Sequence, residues 1–528
     1  MRSSSAALVV LAVCFGCGGG ASTEPSDAAR DRGSEPQELA SDPLPARTWR
    51  LSHAQYAQAV RSFLGVTVDT SGFEDEIDNS LFTNMSGSGL VRTALARDYY
   101  DSAETISSAL SAEQIAALIP GQALGNDAKQ PFVRAAIRRA FRRPATPDDL
   151  AAYAEIFDLG ADASDDATSP FRAVIRALLT SPFFLYRTEI GGDPTRTRFS
   201  LSDHEFAALL SFSLLGTPPS EALLAAADSG ELSEPARLAQ QVSELLELPE
   251  AATQLRAFLA QWLEIHRFDK LEKDPTLFPD FAAARPLMNA EANAMLALHG
   301  ALSGSLHALL TAPVLPNAEL ATYYASEPSS GGSVGSRTGI LGLGAVVAAH
   351  SRANVTSPTL RGLFVRDRLL CQQIHLPADG APNIVDTLFR NAPKTTRALY
   401  EQHAANPECA GCHALLDAIG FNFEDLDASG RFRSQENMEP IDTSGELVDV
   451  DGGGPTRDRA ELALRLAQSS QVEECFARQA FRFYLGAIES DRSGAGIQAA
   501  RTAVAHGTFR ELLIALLTAP SARERVRQ

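Results

Sequence analysis

Apolar residues recur at three- and four-residue spacing along most of this chain, the pattern of helices that bury one face. Residues 51–64 (LSHAQYAQAVRSFL) carry such a stripe. Thr146-Pro147-Asp148-Asp149 sets out an N-cap, a proline at the first helical position and an acid three residues after the cap. That arrangement satisfies the free N–H groups of a helix's first turn. Ser202-Asp203-His204-Glu205 repeats it ahead of Phe206 to Leu215, and Ser233-Glu234-Pro235 starts a further helix that ends near Pro249. Strand-like alternation is sparse. Ser329 to Gly344, rich in Gly and Ser, and Val448 to Pro455, rich in Asp and Gly, read as loops. The pattern predicts a mainly α fold, a helical body of several units.

The chain also echoes itself. Residues 171–182 (FRAVIRALLTSP) and 509–520 (FRELLIALLTAP) share seven of twelve positions without a gap. Upstream, Phe132, Arg134, Ala136 and Arg138 match Phe476, Arg478, Ala480 and Arg482. A helix pair used twice accounts for both matches. The plainer alternative is that Ala/Leu-rich helices resemble one another.

The N-terminus departs from the helical body. Met1-Arg2 leads into an apolar run from Ala6 to Val13 and then Cys14-Phe15-Gly16-Cys17-Gly18. One basic residue, a short apolar core and a small residue before cysteine make residues 1–17 an export signal, too short to span a bilayer. Gly16-Cys17 is similar to a bacterial lipoprotein cleavage site, which implies lipidation of Cys17. Cys14 stands where Leu is usual, so a simply cleaved, secreted form stays open. Residues 18–46 are Gly-, Ser-, Pro- and acid-rich and read as a flexible tether. The remainder divides into helical domains over 47–110, 111–195 and 196–345, a segment over 346–440 that carries Cys409 and Cys412, and a C-terminal helical domain over 441–528. Net charge is −19 with no basic block, which argues against a nucleic-acid partner. The expected location is the cell envelope, as an outer-membrane or cell-surface lipoprotein or one facing the periplasm, with membrane contact through the lipid anchor alone.

Cys409-Ala410-Gly411-Cys412-His413 has the C-x-x-C-H spacing at which c-type haem is attached. Both thiols add to the porphyrin vinyl groups, and the adjacent imidazole ligates iron. An exported chain suits this chemistry and also permits disulfides. With Cys14 removed, Cys17 lipidated and Cys409 and Cys412 on haem, Cys371 and Cys475 remain as an expected disulfide, with buried free thiols as the alternative. A structural zinc at the same residues would need a second ligand pair at similar spacing, and a thioredoxin-like dithiol a βαβ setting; the sequence offers neither. Met438, His350, His403 and His375 are the candidates for a sixth iron ligand. Asp425-x-Asp427-x-Ser429-Gly430 with Glu436 meets calcium-loop spacing, but Gly420 interrupts the entering helix, so calcium is not expected and a turn closed by Asp427 and Gly430 is.

Successive segments resemble a known bacterial cassette. They are residues 51–56 (LSHAQY), 138–150 (RRAFRRPATPDDL), 178–189 (LLTSPFFLYRTE), 201–224 (LSDHEFAALLSFSLLGTPPSEALL), 356–371 (TSPTLRGLFVRDRLLC) and 409–433 (CAGCHALLDAIGFNFEDLDASGRFR). The cassette comprises exported multi-domain proteins of unknown function, of planctomycete and myxobacterial type, associated with cytochrome c domains. The resemblance implies a cytochrome-c-like segment in the C-terminal third with one covalent haem c, and places Asp417, Phe421 and Phe423 beside it. The expected role is electron transfer to a redox partner protein, either as a carrier or within a haem-dependent oxidoreductase. A non-redox envelope scaffold with a structural cysteine motif and a haem peroxidase are the alternatives.

Other marked residues read as structure. Trp262 lies on a buried helical stripe and its ring N–H needs a partner. Arg134, Arg138, Arg139, Arg142 and Arg143 read as a solvated face that pairs with the surplus of acids, with contact to haem propionates or a partner as the alternative. His53, His204, His266, His299, His307 and His506 are scattered and show no ligand spacing.

Overall fold

Ser52, Thr146 and Ser202 each close a capping box, with Gln55, Asp149 and Glu205 reaching back to the cap N–H. They start the helices His53–Leu64, Pro147–Ala163 and Asp203–Leu215 in the computed structural model. The structure describes residues 43–74, 82–83, 85, 91–325, 337–374, 394–489 and 494–527. The expected signal with Cys14 and Cys17, the tether up to residue 42 and His375 lie outside the described residues. The chain is mainly helical, with small two- and three-stranded sheets.

Two hydrophobic cores organise the described residues. The first is built from helices His53–Leu64, Thr93–Ala109, Lys129–Phe141 and Ser169–Leu179. The second takes in Leu44, Phe82 and Met85 and then runs through the rest of the chain from Phe199 to Ala522. Helix Asp203–Leu215 is the wall between them: Ala208 and Phe212 face the first core, while Phe206, Leu209, Leu210 and Leu214 face the second. A helix buried on every side is apolar on nearly every face, and Phe206 through Leu214 are buried without a break, with Ser211 and Ser213 the polar members and Ser213 donating to Tyr484 O.

The sequence echo has a counterpart in the order of elements. Lys129–Phe141, Pro147–Ala163, Ser169–Leu179, Pro182–Leu185 and strand Tyr186–Glu189 follow one another near the start of the body. Ser470–Leu485, Ala495–His506, Phe509–Thr518, Pro520–Arg523 and strand Glu524–Val526 follow in the same order at its end. Each first helix stops at a left-handed residue, Arg142 (φ 58°) and Gly486 (φ 60°). Each copy packs a first-helix Phe on a third-helix Phe: Phe132 lies 4.8 Å from Phe171, and Phe476 lies 5.4 Å from Phe509.

The N-terminal strands join the two copies. Arg47–Arg50 pairs antiparallel with Tyr186–Glu189, while Leu44–Pro45 pairs in parallel with Glu524–Val526. Leu44 is buried, so the end of the expected tether is part of the fold. Trp49 rests on Gly486, where a Cβ would come within 1.7 Å of the indole, and the Arg187 guanidinium lies over its ring at 3.3 Å.

Three local expectations are corrected. Ile340–Gly342 forms a short 3₁₀ turn with Leu343 beside it, all buried, although they belong to the stretch read as a loop. Gly454–Thr456 pairs antiparallel with Gly445–Leu447, so the Asp/Gly stretch ends in a hairpin. Arg142 is not on a solvated face. It is buried and donates to the carbonyls of Phe183 (2.6 Å), Phe184 (3.2 Å) and Tyr186 (2.9 Å). Arg138 does pair with acids, Glu221 and Asp228, and the Trp262 ring N–H donates to Arg368 O at 2.8 Å.

Candidate functional site

The C-x-x-C-H motif opens helix Pro407–Gly420. Cys409 and Cys412 are free thiols, each partly exposed. Residues at i, i+3 and i+4 share one helix face, so both thiols and His413 stand on the same side. Beyond them the helix turns directly into a 3₁₀ turn, Phe421–Phe423.

A second helix, Pro358–Phe364, holds this one. Ser357 caps it by accepting from Leu360 N–H, and Pro358 fills its first position. The two helices cross at glycines. A Cβ on Gly362 would come within 1.9 Å of Leu416 O, and one on Gly420 within 1.9 Å of Pro358 O. Backbone-to-backbone approach this close excludes any side chain at either position. Arg361, almost fully buried, extends from the crossing to Phe423 O (2.7 Å), Leu426 O (3.0 Å), Asp427 O (3.0 Å) and Glu424 Oε1 (3.1 Å). Arg366 donates to Leu415 O at 3.1 Å. The C-terminal half of the motif helix is thereby anchored on its neighbour and on the segment that follows it.

His413 is oriented through its Nδ1, which lies 2.6 Å from Asp417 Oδ2, one turn on. The other carboxylate oxygen, Oδ1, accepts from Thr359 Oγ1 at 2.7 Å, and Asp417 is only 3% exposed. A carboxylate on Nδ1 leaves Nε2 as the ring nitrogen for a further partner. Among the described residues His413 makes no other hydrogen bond. It lines a cavity of about 400 Å³ with Ala410, Ala414, Ala418 and Phe421 from its own helix and Arg397, Glu401 and Ala404 from helix Thr396–Ala404. Ser444, Gly445 and Glu446 complete the lining. Neither thiol lines this cavity.

The expected neighbours divide. Asp417 and Phe421 line the cavity with His413; Phe423 is buried in the second core instead. His403 packs edge-on against the His413 ring, with centroids 4.6 Å apart. Burial, together with the neighbouring His413, lowers its pKa. His350 and Met438 are not drawn to the motif. The ring nitrogens of His350 are engaged by Val346 O (2.8 Å) and Glu264 Oε2 (3.2 Å), and its face lies on Phe364. Met438, at φ 68° in the turn of hairpin Gln435–Pro440, is 90% exposed. Cys371 and Cys475 are joined in a disulfide, with Cα atoms 5.3 Å apart.

The residues at calcium-loop spacing are engaged elsewhere. Asp427 Oδ1 accepts from Ser429 N, Ser429 Oγ and Arg431 N, closing a turn at Gly430 (φ 86°). Asp425 pairs with Arg459 and Glu436 with Arg433. Among the described residues no group of three or more His, Cys, Asp or Glu is placed to hold a metal ion, and no helix is long and apolar enough to cross a membrane.

Four families account for most of the body. Residues 49–112 match PSD3 (DUF1587), 128–189 PSD5 (DUF1595), 201–325 PSD4 (DUF1592) and 337–436 PSCyt3 (DUF1588), each described as a protein of unknown function. The chain is a multi-domain cassette of unknown function. No curated protein and no solved structure matches it. Cys409, Cys412 and His413, the Gly362 crossing and Asp417 all fall within the PSCyt3 segment of the cassette. The first copy of the repeated helix set coincides with the PSD5 match, and the second lies beyond the matched segments.

Thr359, Gly362 and Arg397 take part in this site without having been singled out in the sequence. The order of TSPTLRG ahead of the motif was visible, but nothing in a linear pattern says that two helices separated by more than forty residues cross at Gly362.

Proposed function

We propose that this chain is an exported, lipid-anchored protein of the cell envelope that carries one covalent haem c and passes electrons to a redox partner protein. Cys409 and Cys412 form the thioethers, and His413 is the axial ligand through Nε2. When bound, the haem supplies one-electron exchange through its iron.

The observation that carries this reading is the state of the motif helix. Two free thiols and an imidazole share one face. The imidazole has one nitrogen committed to Asp417 and the other without a hydrogen-bond partner among the described residues. A structural zinc at the same residues would need further ligands close by, and none is grouped there among the described residues. The name of the PSCyt3 family points the same way.

The chain's own residues then have separable tasks. Gly362 and Gly420 let helix Pro358–Phe364 approach the motif helix and fix its tilt. Arg361 and Arg366 hold its C-terminal end through backbone carbonyls. Cys17, lipidated after export, tethers the body to the membrane.

Full-length chain produced with a cytochrome c maturation system tests the reading. A denaturing gel stained for haem peroxidase activity should show a band at the chain's mass, and reduction should sharpen a visible spectrum of c type. A colourless protein whose mass is that of the polypeptide plus lipid would refute it.

A further inference from the structure

Two hydrogen bonds converge on Asp417 from opposite sides. His413 Nδ1 stands 2.6 Å from Oδ2, on the same helix. Thr359 Oγ1 donates to Oδ1 at 2.7 Å, from the crossing helix. Among the described residues no arginine or lysine forms an ion pair with this carboxylate, and its side chain is only 5% exposed. A buried carboxylate without a cation is costly unless its lone pairs are filled by strong donors. Here the strongest donor within reach is the imidazole itself. The glycine crossing that sets the separation of the two helices also sets the Thr359–Asp417 distance, so the contact does not depend on a flexible loop.

We infer that Asp417, steadied by Thr359, is a positioning residue that makes His413 a strongly electron-donating axial ligand and poises the proposed haem at low potential. A neutral backbone carbonyl on Nδ1 fixes ring orientation alone. A carboxylate also draws the Nδ1 proton toward itself and raises the basicity of Nε2. Added negative charge and a more basic axial nitrogen both favour ferric over ferrous iron. The inference rests on the haem reading above and deepens it: a partner that accepts electrons from this centre can itself be of low potential, and one that reduces it must be a strong reductant.

The test is an equilibrium redox titration of full-length holoprotein, comparing wild type with Asp417→Asn, Asp417→Glu and Thr359→Val. Asparagine keeps the shape and a hydrogen-bond acceptor but removes the charge. Asp417→Asn is expected to shift the ferrous/ferric ratio at fixed ambient potential at least tenfold toward ferrous. Thr359→Val, which removes a donor from Oδ1 and leaves the carboxylate a stronger acceptor for the Nδ1 proton, should shift it by less and toward ferric, and Asp417→Glu should stay nearest wild type. Haem content, read by mass and by the stained gel, should be equal in all four. A haem-loaded Asp417→Asn protein that titrates like wild type overturns the inference and leaves the haem reading standing. A wild-type protein without haem removes both. If Asp417→Asn fails to accumulate, Thr359→Val decides alone, since it removes one hydroxyl donor at a part-buried site; an unchanged potential there counts against the inference.

Discussion

Arg525 Nε donates to Glu189 Oε2 at 2.6 Å, joining residues 336 positions apart in the chain. Arg47 reaches the same carboxylate from the N-terminal strand at 2.8 Å. Glu189 closes the first copy of the repeated helix set and Arg525 the second, so this carboxylate is the electrostatic joint between them. All three groups are nearly or fully buried.

Removing the carboxylate therefore strands two guanidinium groups in a low-dielectric interior. Glu189→Gln should lower unfolding stability by about 3–5 kcal/mol, the usual cost of breaking a buried pair from one side. Arg47→Met with Arg525→Met and Glu189→Leu together should cost less than Glu189→Gln alone, because the two guanidinium groups bound to the carboxylate leave with it and only the buried Arg187, stacked on Trp49, loses its favourable charge. Urea unfolding monitored by far-UV circular dichroism checks both.

The same joint predicts an acid response. Burial pushes the Glu189 carboxyl up, but the charges and hydrogen bonds of Arg47 and Arg525 outweigh it and hold the group at about 2 against an ordinary 4.5. A carboxylate whose pKa is depressed by folding gives stability that is complete above its unfolded pKa and lost as pH falls through the folded one. The window is thus pH 4.5 down to 2, with roughly 3 kcal/mol at stake. Other carboxylates titrate there too, so the measurement is the difference between wild type and Glu189→Gln. Their stability curves should converge as pH falls through that window; parallel curves would refute the assignment.

Much of the fold was legible because its signals are local. Ser52, Thr146 and Ser202 declare their helices through residues three positions away, and the repeated helix set declares itself through seven shared residues in twelve. Arg142 shows where local reading stops. By spacing it belongs with Arg138 and Arg139 on a basic face, yet a left-handed turn at its own backbone folds it inward onto three carbonyls. Ile340–Leu343 sits in a Gly/Ser-rich stretch whose burial comes from distant helices. At the site, C-x-x-C-H and Asp417 were readable as a motif and its continuation. Thr359 and Gly362 were not, since their importance comes only from a crossing between helices distant in sequence.

That crossing gives a further prediction. Gly362→Ala places a methyl carbon within 1.9 Å of Leu416 O, a backbone atom that cannot rotate away. The helices must separate, at a cost of about 1–3 kcal/mol or more, and the Thr359–Asp417 contact should lengthen. Thermal unfolding should show the loss of stability. Gly411→Ala, with open space around its Cβ, should leave stability nearly unchanged and serves as the control on the facing helix, Pro407–Gly420.

Cys371–Cys475 closes a loop of 104 residues that contains the motif. Cross-linking a loop of this length restricts the unfolded chain, and its removal should cost about 2–5 kcal/mol. Cys371→Ala with Cys475→Ala should lower the unfolding midpoint, and added reductant should lower that of wild type while leaving the variant unmoved. Equal midpoints for wild type in oxidising and reducing buffer would show that the bond contributes nothing.

His350 and Met438 offer a last check on ligation. His350 is occupied on both ring nitrogens by Val346 O and Glu264, and Glu264 is itself tied to Arg368. Recruiting it to iron would break both contacts and leave a part-buried carboxylate short of a partner. Met438 would have to leave water and reverse a hairpin turn fixed by the pairing of Gln435–Glu436 with Glu439–Pro440. Alanine at either position should therefore leave the oxidised and reduced spectra of the haem-loaded protein unchanged. Loss of a low-spin spectrum in His350→Ala or Met438→Ala would mean that haem attachment reorganises this part of the fold. His350→Ala should still lower stability slightly, since Phe364 loses the ring it packs against.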